Sequence, residues 1–110
     1  MGLDCTLSAD RDDDGVTITL TAENTGSEPV ELTFPDGQVV EIVAEQDETE
    51  VWRYGADRMF AQALQVETLA AGGRLSESVT WPGSSAGTYR IRAWLCANDI
   101  DCEAATTITV

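Results

Sequence analysis

Lysine and histidine are absent from this chain of 110 residues, and all six basic residues are arginine. Without histidine, the sequence offers no Ser-His or Cys-His pair for nucleophilic catalysis and no imidazole ligand for a metal. It also has no Gly-rich phosphate loop and no C-x-x-C spacing. We therefore expect a protein that is not an enzyme and has no cofactor; a calcium ion is the one exception that the sequence offers.

Long apolar runs and basic segments are missing as well. No apolar run is long enough to cross a bilayer, and the opening M-G-L-D-C resembles no signal peptide. The 20 acidic residues against 6 basic ones give a net charge of −14. Because phosphate neutralisation needs a basic patch, we expect no nucleic-acid partner. The lack of a long apolar run leads us to expect no membrane partner either.

Two interpretations of this acidity are open. It is either an electrostatic surface for a basic partner or the surface of a halophilic protein. In a halophile, high salt screens the repulsion among the charges, which would otherwise destabilise so acidic a domain. The loss of lysine in favour of Asp and Glu favours the second interpretation.

Alternating apolar positions predict short strands along most of the chain. In the segment 16–24, apolar residues alternate with threonines, which is typical of an antiparallel strand with one buried face. Extended segments are also predicted at 3–9, 30–34, 39–45, 65–69, 74–81, 88–95 and 104–110. About eight short strands with turns between them predict an all-β, immunoglobulin-like antiparallel β-sandwich, with residues 1–110 as a single domain.

The stretch 51–64, V-W-R-Y-G-A-D-R-M-F-A-Q-A-L, breaks this alternation. Val51 and Trp52 are adjacent and apolar, so they cannot both face one side of a strand. After the break at 55–57, the apolar residues of 59–64 have the spacing of a short helical turn or of an irregular loop packed onto the core. So much aromatic surface in one segment indicates either a plug for the core or a recognition element.

This stretch resembles the signature of the intracellular proteinase inhibitor (BsuPI) family, which has V-W-R, a polar or Gly-containing spacer, and M-F-T-Q-A-L. Ala61 replaces the threonine here. The similarity covers roughly residues 16–95 and includes Glu23-Asn24-Thr25, Gly37-Gln38, Trp81 and Gly87-Thr88-Tyr89. One departure is Val40-Glu41-Ile42, where the family has an aromatic-Asp-aromatic triplet, and the acidic surface is another. Both bear on the choice of partner more than on the fold.

The resemblance implies a non-enzymatic binding module, a cytoplasmic inhibitor that occludes an intracellular subtilisin-like serine proteinase. We predict that two aromatic residues of the stretch, Trp52 and Phe60, belong to the core. Five residues near them are predicted to form the protein-binding surface: Arg53, Tyr54, Arg58, Met59 and Gln62. A rigid loop, pinned at Trp52 and Phe60 and projecting between them, suits a protease cleft.

A second interpretation is a structural or protein-interaction β-sandwich without inhibitory activity, used as an accessory module of a larger protein. Arg90, Arg92 and Trp94 share the outward face of one predicted strand, and Arg and Trp dominate interface energies. The sequence favours a plainer explanation of this face, which is cross-strand pairing with acidic residues such as Glu41 and Glu45.

A calcium site is suggested by Asp10, Asp12 and Asp14, which precede Gly15 in the pattern D-x-D-x-D-G. This pattern is the first half of a calcium loop. The second half fails, because Thr21 occupies the twelfth position, where a glutamate is needed. The alternative interpretation is an acidic hairpin turn.

The three cysteines, Cys5, Cys96 and Cys102, are an odd number, which argues against a disulfide framework. Cys96 and Cys102 bracket a short loop that a disulfide would close in an oxidising compartment. In a cytosol we expect both thiols to be reduced.

Overall fold

The computed structural model describes residues 3–13, 15–56, 58–82, 85–98 and 100–110. This part of the chain contains nine strands and no helix, and therefore no helix that could cross a membrane. The strands are Leu3–Asp12 (β1), Gly15–Asn24 (β2), Val30–Phe34 (β3), Val40–Gln46 (β4), Thr49–Arg53 (β5), Gln65–Leu69 (β6), Arg74–Trp81 (β7), Thr88–Leu95 (β8) and Glu103–Thr109 (β9).

The strands form three antiparallel sheets. One sheet has the order β1-β2-β7, a second has the order β5-β4-β8-β9, and β3 pairs with β6. Buried apolar residues from all three sheets belong to one hydrophobic cluster. The prediction of an all-β, antiparallel fold is confirmed, and the arrangement is compatible with a β-sandwich. Its immunoglobulin-like character stays a prediction.

The alternation of side chains places one face of each central strand in the core. In β2, Val16, Ile18 and Leu20 are at most 1% exposed, while Thr19 on the other face hydrogen bonds with Ser78 of β7. The inward residues of β4 and β8 are buried in the same way: Val40, Ile42, Ala44, Tyr89, Ile91, Ala93 and Leu95. Each large apolar side chain stabilises the fold by about 1.5–3 kcal/mol, so this core is a rigid frame for the loops.

Asn24, at the end of β2, is the one polar residue that is buried among those the structure describes. Its side-chain amide donates to the carbonyl oxygens of Glu28 (2.8 Å) and Leu69 (3.0 Å). Its Oδ1 accepts a hydrogen bond from the Gly26 N–H at 3.0 Å. Because an unpaired buried amide would cost about 1–3 kcal/mol, these bonds fix the turn after β2 against the end of β6.

Strand β5 is the ninth strand, where the sequence predicted about eight, and it explains the adjacent Val51 and Trp52. The β4–β5 ladder shifts register so that Ala44 opposes Trp52 and Glu45 opposes Glu50. Val51 is then the extra residue of a β-bulge, and it is 47% exposed. Trp52 packs against the core, so the two apolar neighbours do not compete for one face.

A disulfide joins Cys5 to Cys102, which are 97 residues apart in sequence, and Cys96 is free. The bond between Cys96 and Cys102 was a wrong prediction, and of the two thiols expected to be reduced in a cytosol only Cys96 is free. Cys102 directly precedes β9, and β9 lies beside β1 in the fold, so the tertiary structure brings the two ends of the chain together. Burial raises the pKa of the Cys96 thiol to about 11, and the carboxylates of Glu41 and Asp36 add to this effect.

Reduction of the Cys5–Cys102 bond should lower the free energy of unfolding by about 3–5 kcal/mol, because a cross-link that closes so long a loop strongly restricts the unfolded chain. Urea unfolding followed by tryptophan fluorescence, with and without reductant, measures this difference. The Cys5→Ser variant should show the lower stability under both conditions.

Cys96→Ser is the matched control and should keep the full difference between reduced and oxidised protein. Native protein should carry one thiol, which reacts slowly with iodoacetamide at about pH 8 because little of it is thiolate. Three titratable thiols in air-oxidised protein would contradict the disulfide.

Candidate functional site

Residues 54–64 connect β5 to β6 without helix or strand in their described part, and we call them the β5–β6 loop. The spacing of apolar residues allowed a helical turn here, but the structure has an irregular loop. Met59 is 99% exposed, and residues 61–64 are exposed as well. Only part of the loop therefore packs on the sandwich, and its middle projects into solvent.

A row of aromatic contacts joins this loop to the core. Phe60 meets Tyr54 edge-on with 5.9 Å between ring centroids, and Tyr54 lies 6.5 Å from Trp52. Trp52 stacks on Trp81 at 5.6 Å, and Trp81 meets Tyr89 edge-on at 4.9 Å. Trp81 and Tyr89 are core residues. Each such pair contributes about 0.5–1.5 kcal/mol beyond the burial of area, so the row holds the loop in a defined position.

Tyr54 and Phe60 lie in environments that differ from those predicted. Tyr54, predicted as exposed, is partly buried and packs against the core beside Trp52. Its N–H donates to the carbonyl of Ile42 at 2.9 Å, which continues the ladder one residue past β5. Period two then puts Tyr54 on the same inward side as Trp52. Phe60, predicted as core, is partly buried, and its aromatic contact is with Tyr54.

The carboxylate of Glu41 fixes the beginning of the loop. Its Oε1 accepts hydrogen bonds from the N–H of Gly55 (2.9 Å) and from the N–H of Ile42 (3.1 Å). Its Oε2 lies 3.6 Å from Nη1 of Arg53, and the Glu41 side chain is 13% exposed. An ionised carboxylate makes stronger hydrogen bonds than a neutral acceptor, so Glu41 holds the backbone where the chain leaves the sheet.

Two glycines allow the close contacts at either end of the loop. A Cβ at Gly55 would lie 2.7 Å from Oε2 of Glu41, so a side chain there would displace the Glu41 carboxylate. The N–H of Gly37 donates to the carbonyl of Ala61 at 2.8 Å. A Cβ at Gly37 would lie 3.0 Å from the nitrogen of Ala61. Glycine at both positions thus permits this close approach of backbone and polar groups.

The middle of the loop is held by one aromatic ring. The guanidinium carbon of Arg58 lies 4.5 Å from the centroid of the Tyr54 ring, in a cation–π contact. Phe60 contacts the same ring edge-on. Met59 lies between these two residues and is almost fully exposed. We call Tyr54, Arg58 and Phe60 the Tyr54 clamp, because the Tyr54 ring contacts the residues on both sides of Met59.

The predicted binding residues fall into two groups. Arg58, Met59 and Gln62 are exposed on the β5–β6 loop, whereas Arg53 and Tyr54 are partly buried. Arg53 donates to Glu50 at 2.9 Å, and this hydrogen bond raises the pKa of Arg53 and lowers that of Glu50. Arg53 therefore belongs to the outer face of its sheet and is already paired with acid.

The outward Arg-Trp face of β8 is also paired. Arg92 lies 3.3 Å from Glu45, as the cross-strand interpretation predicted. The guanidinium carbons of Arg53 and Arg92 each lie 5.9 Å from the centroid of the Trp94 ring. Val43 stands opposite both arginines in the ladders and is completely buried. These side chains thus cover Val43 on the outer side of the sheet.

The acidic residues suggested as calcium ligands lie at the β1–β2 hairpin. Asp10 and Asp12 are in β1, and a carboxylate oxygen of Asp12 accepts a hydrogen bond from the hydroxyl of Thr17 at 2.9 Å. Asp14 lies outside the described residues. No group of three or more metal-binding side chains comes together in the described part of the chain. Calcium binding stays a prediction.

The sequence pattern did not show the role of Glu41. The sequence shows Glu41 as a departure from the family's aromatic-Asp-aromatic triplet and as a cross-strand partner for the face with Arg90 and Arg92, but not as a residue that holds the loop. Glu41 is nevertheless an acidic residue like the aspartate of the triplet, and its carboxylate accepts the hydrogen bond from the loop backbone at Gly55. Its partner Gly55 is 14 residues away on another strand connection, so no local signal could reveal the contact.

The fold and this loop together define a class of structure: an antiparallel all-β fold, compatible with a β-sandwich, with one anchored and exposed loop. The family model described as intracellular proteinase inhibitor (BsuPI) matches residues 3–100. The chain belongs to this family, which is one of proteinase inhibitors and not of enzymes. A search of the curated proteins finds no match to this chain.

The Tyr54 clamp should control the susceptibility of the loop to proteolysis. Tyr54→Ala removes the ring that contacts Arg58 and Phe60, so thermolysin should cut within residues 58–64 about tenfold faster or more, because local opening precedes cleavage. Tyr54→Phe keeps the ring and should match the wild type. Limited proteolysis with mass spectrometry gives the sites and rates. Equal rates for both variants, with both folded by circular dichroism, would show that the ring does not hold the loop.

Proposed function

We propose that this protein inhibits a subtilisin-like serine proteinase by inserting the β5–β6 loop into the active-site cleft. Membership of the proteinase inhibitor family supports the general activity. The observation that supports this particular surface is the Tyr54 clamp, which leaves Met59 almost fully exposed between two anchored neighbours. Inhibition of this kind requires binding only and no chemistry by the inhibitor.

Rigidity is the physical reason for assigning the activity to this loop. Binding costs less when a segment is already ordered in its bound conformation. Glu41 orders the first part of the loop, the Tyr54 clamp orders its middle, and Gly37 holds its later part at Ala61. An exposed loop held in this way loses little conformational freedom on binding and resists cleavage once bound.

The halophilic interpretation of the surface is part of this proposal. It is supported by the net charge of −14 and by the absence of lysine. The partner would then meet the inhibitor in concentrated salt, where long-range charge repulsion is screened. The calcium site at Asp10, Asp12 and Asp14 remains an additional proposal, which would stabilise the protein without taking part in the inhibition.

The cytoplasmic location is a proposal that the family's description supports and the disulfide opposes. The family is described as intracellular, but disulfides are rare in reducing compartments. The Cys5–Cys102 bond is therefore most easily explained if this chain works under more oxidising conditions than an ordinary cytosol.

Titration of a subtilisin-like proteinase with the domain, in about molar salt, tests the proposed function. We expect stoichiometric loss of peptidase activity. Arg58→Ala and Tyr54→Ala should weaken inhibition, because each removes a partner of the clamp. Arg90→Ala is the matched control, since Arg90 is an exposed arginine on β8, and it should inhibit like the wild type.

A folded domain that inhibits no proteinase of a panel would overturn the proposal. It would leave the alternative, an interaction module without inhibitory activity. If Arg90→Ala weakened inhibition as much as Arg58→Ala did, the contact with the proteinase would instead lie on the outer face of β8.

The acidic surface should make stability depend on salt. We expect the urea midpoint of unfolding to rise steadily between about 0.1 and 2 M KCl, because the screening length falls from about 10 Å at 0.1 M to about 3 Å at 1 M. Sucrose at matched osmolality is the control for general solvent effects. A midpoint that KCl leaves unchanged would argue against adaptation to high salt.

A further inference from the structure

We infer that Met59 is the specificity residue of the loop and that it enters an apolar pocket of the target proteinase. This inference rests on the proposed function and identifies the kind of proteinase that the loop fits. The predicted site gave five residues equal standing. The structure separates Met59 from the other four, because it is the one exposed apolar side chain among them and because the residues on both sides of it contact the Tyr54 ring.

Exposure singles out Met59 among the apolar side chains. The large apolar residues that are exposed in the described part of the chain are Val51 (47%), Met59 (99%), Leu64 (65%) and Val66 (52%). Met59 alone is exposed almost completely, and it lies in the middle of an anchored segment. An unbranched, flexible side chain in this position can fill an apolar pocket of irregular shape.

The side chains on both sides of Met59 contact the Tyr54 ring. Arg58 lies over the Tyr54 ring at 4.5 Å, and Phe60 packs against the same ring at 5.9 Å. A proteinase with a carboxylate in its specificity pocket would have to remove Arg58 from this ring. The loss of this contact disfavours a proteinase of trypsin-like specificity and favours one with an apolar pocket.

The backbone around Met59 is available to a partner strand. Residues 58–64 form one backbone–backbone hydrogen bond with the described part of the chain, from the N–H of Gly37 to the carbonyl of Ala61. The peptide groups of Met59 and Phe60 can therefore pair with an extended strand of the proteinase. If the Met59–Phe60 bond were hydrolysed, Arg58 and Phe60 would both stay on the Tyr54 ring. The two new chain ends would remain close to each other, and the cleaved inhibitor would dissociate slowly from the proteinase.

Specificity exchange at position 59 tests the inference. Wild type and the variants Met59→Leu, Met59→Ala and Met59→Arg are titrated against subtilisin, chymotrypsin and trypsin in about molar salt. We expect Met59→Ala to bind subtilisin about 30-fold more weakly or worse, which is the size of an interface hot spot. Met59→Leu should stay within about threefold of the wild type, and Met59→Arg should gain inhibition of trypsin. Val51→Ala, another exposed apolar residue, is the control and should leave every constant unchanged.

Prolonged incubation with a high concentration of subtilisin, followed by mass spectrometry, adds a readout that does not need inhibition. The first cut should hydrolyse the Met59–Phe60 peptide bond. Inhibition that is insensitive to Met59→Ala and Met59→Arg would overturn the inference and leave the proposed function standing. A domain that neither inhibits subtilisin nor is first cut after Met59 would overturn both.

Discussion

The stacking of Trp52 on Trp81 connects the two parts of this molecule. Trp81 belongs to the buried core, and Trp52 belongs to the strand that leads into the exposed loop. Tyr54 follows Trp52 on the same inward side and carries both Arg58 and Phe60 on its ring. The position of the loop therefore depends on the packing of the core, and a change that loosens the Trp52–Trp81 contact would act on the loop from a distance.

Acidic residues serve two different purposes in this chain. Most of them lie on the surface and give the protein its charge. A few are structural, because Glu41 holds the loop backbone and Glu45 pairs with Arg92 above the buried Val43. Only six residues are basic, so few acidic residues can have an arginine as a partner. Arg53 pairs with Glu41 and Glu50, and Arg92 pairs with Glu45, on the outer face of their sheet. Arg58, in contrast, contacts the ring of Tyr54.

The disulfide contributes to stability without touching the candidate site. It joins the first strand to the segment before the last strand, at positions 5 and 102. Such a bond limits fraying of the chain ends and restricts the unfolded chain, which matters for a domain whose charges repel one another. The family is described as intracellular, whereas disulfides are rare in reducing compartments.

The sequence by itself determined eight of the nine strands, because apolar residues such as Val16, Ile18 and Leu20 recur at every second position. It also located the unusual stretch around Trp52. Local patterns could also show that this stretch is no ordinary strand. Only the tertiary structure decided the bulge at Val51, the inward position of Tyr54, the role of Glu41 and the pairing of Cys5 with Cys102. Each of these depends on which strands become neighbours. The packing of the whole core decides which strands become neighbours. A pattern within a short segment of sequence therefore cannot predict contacts between residues that are far apart in the chain.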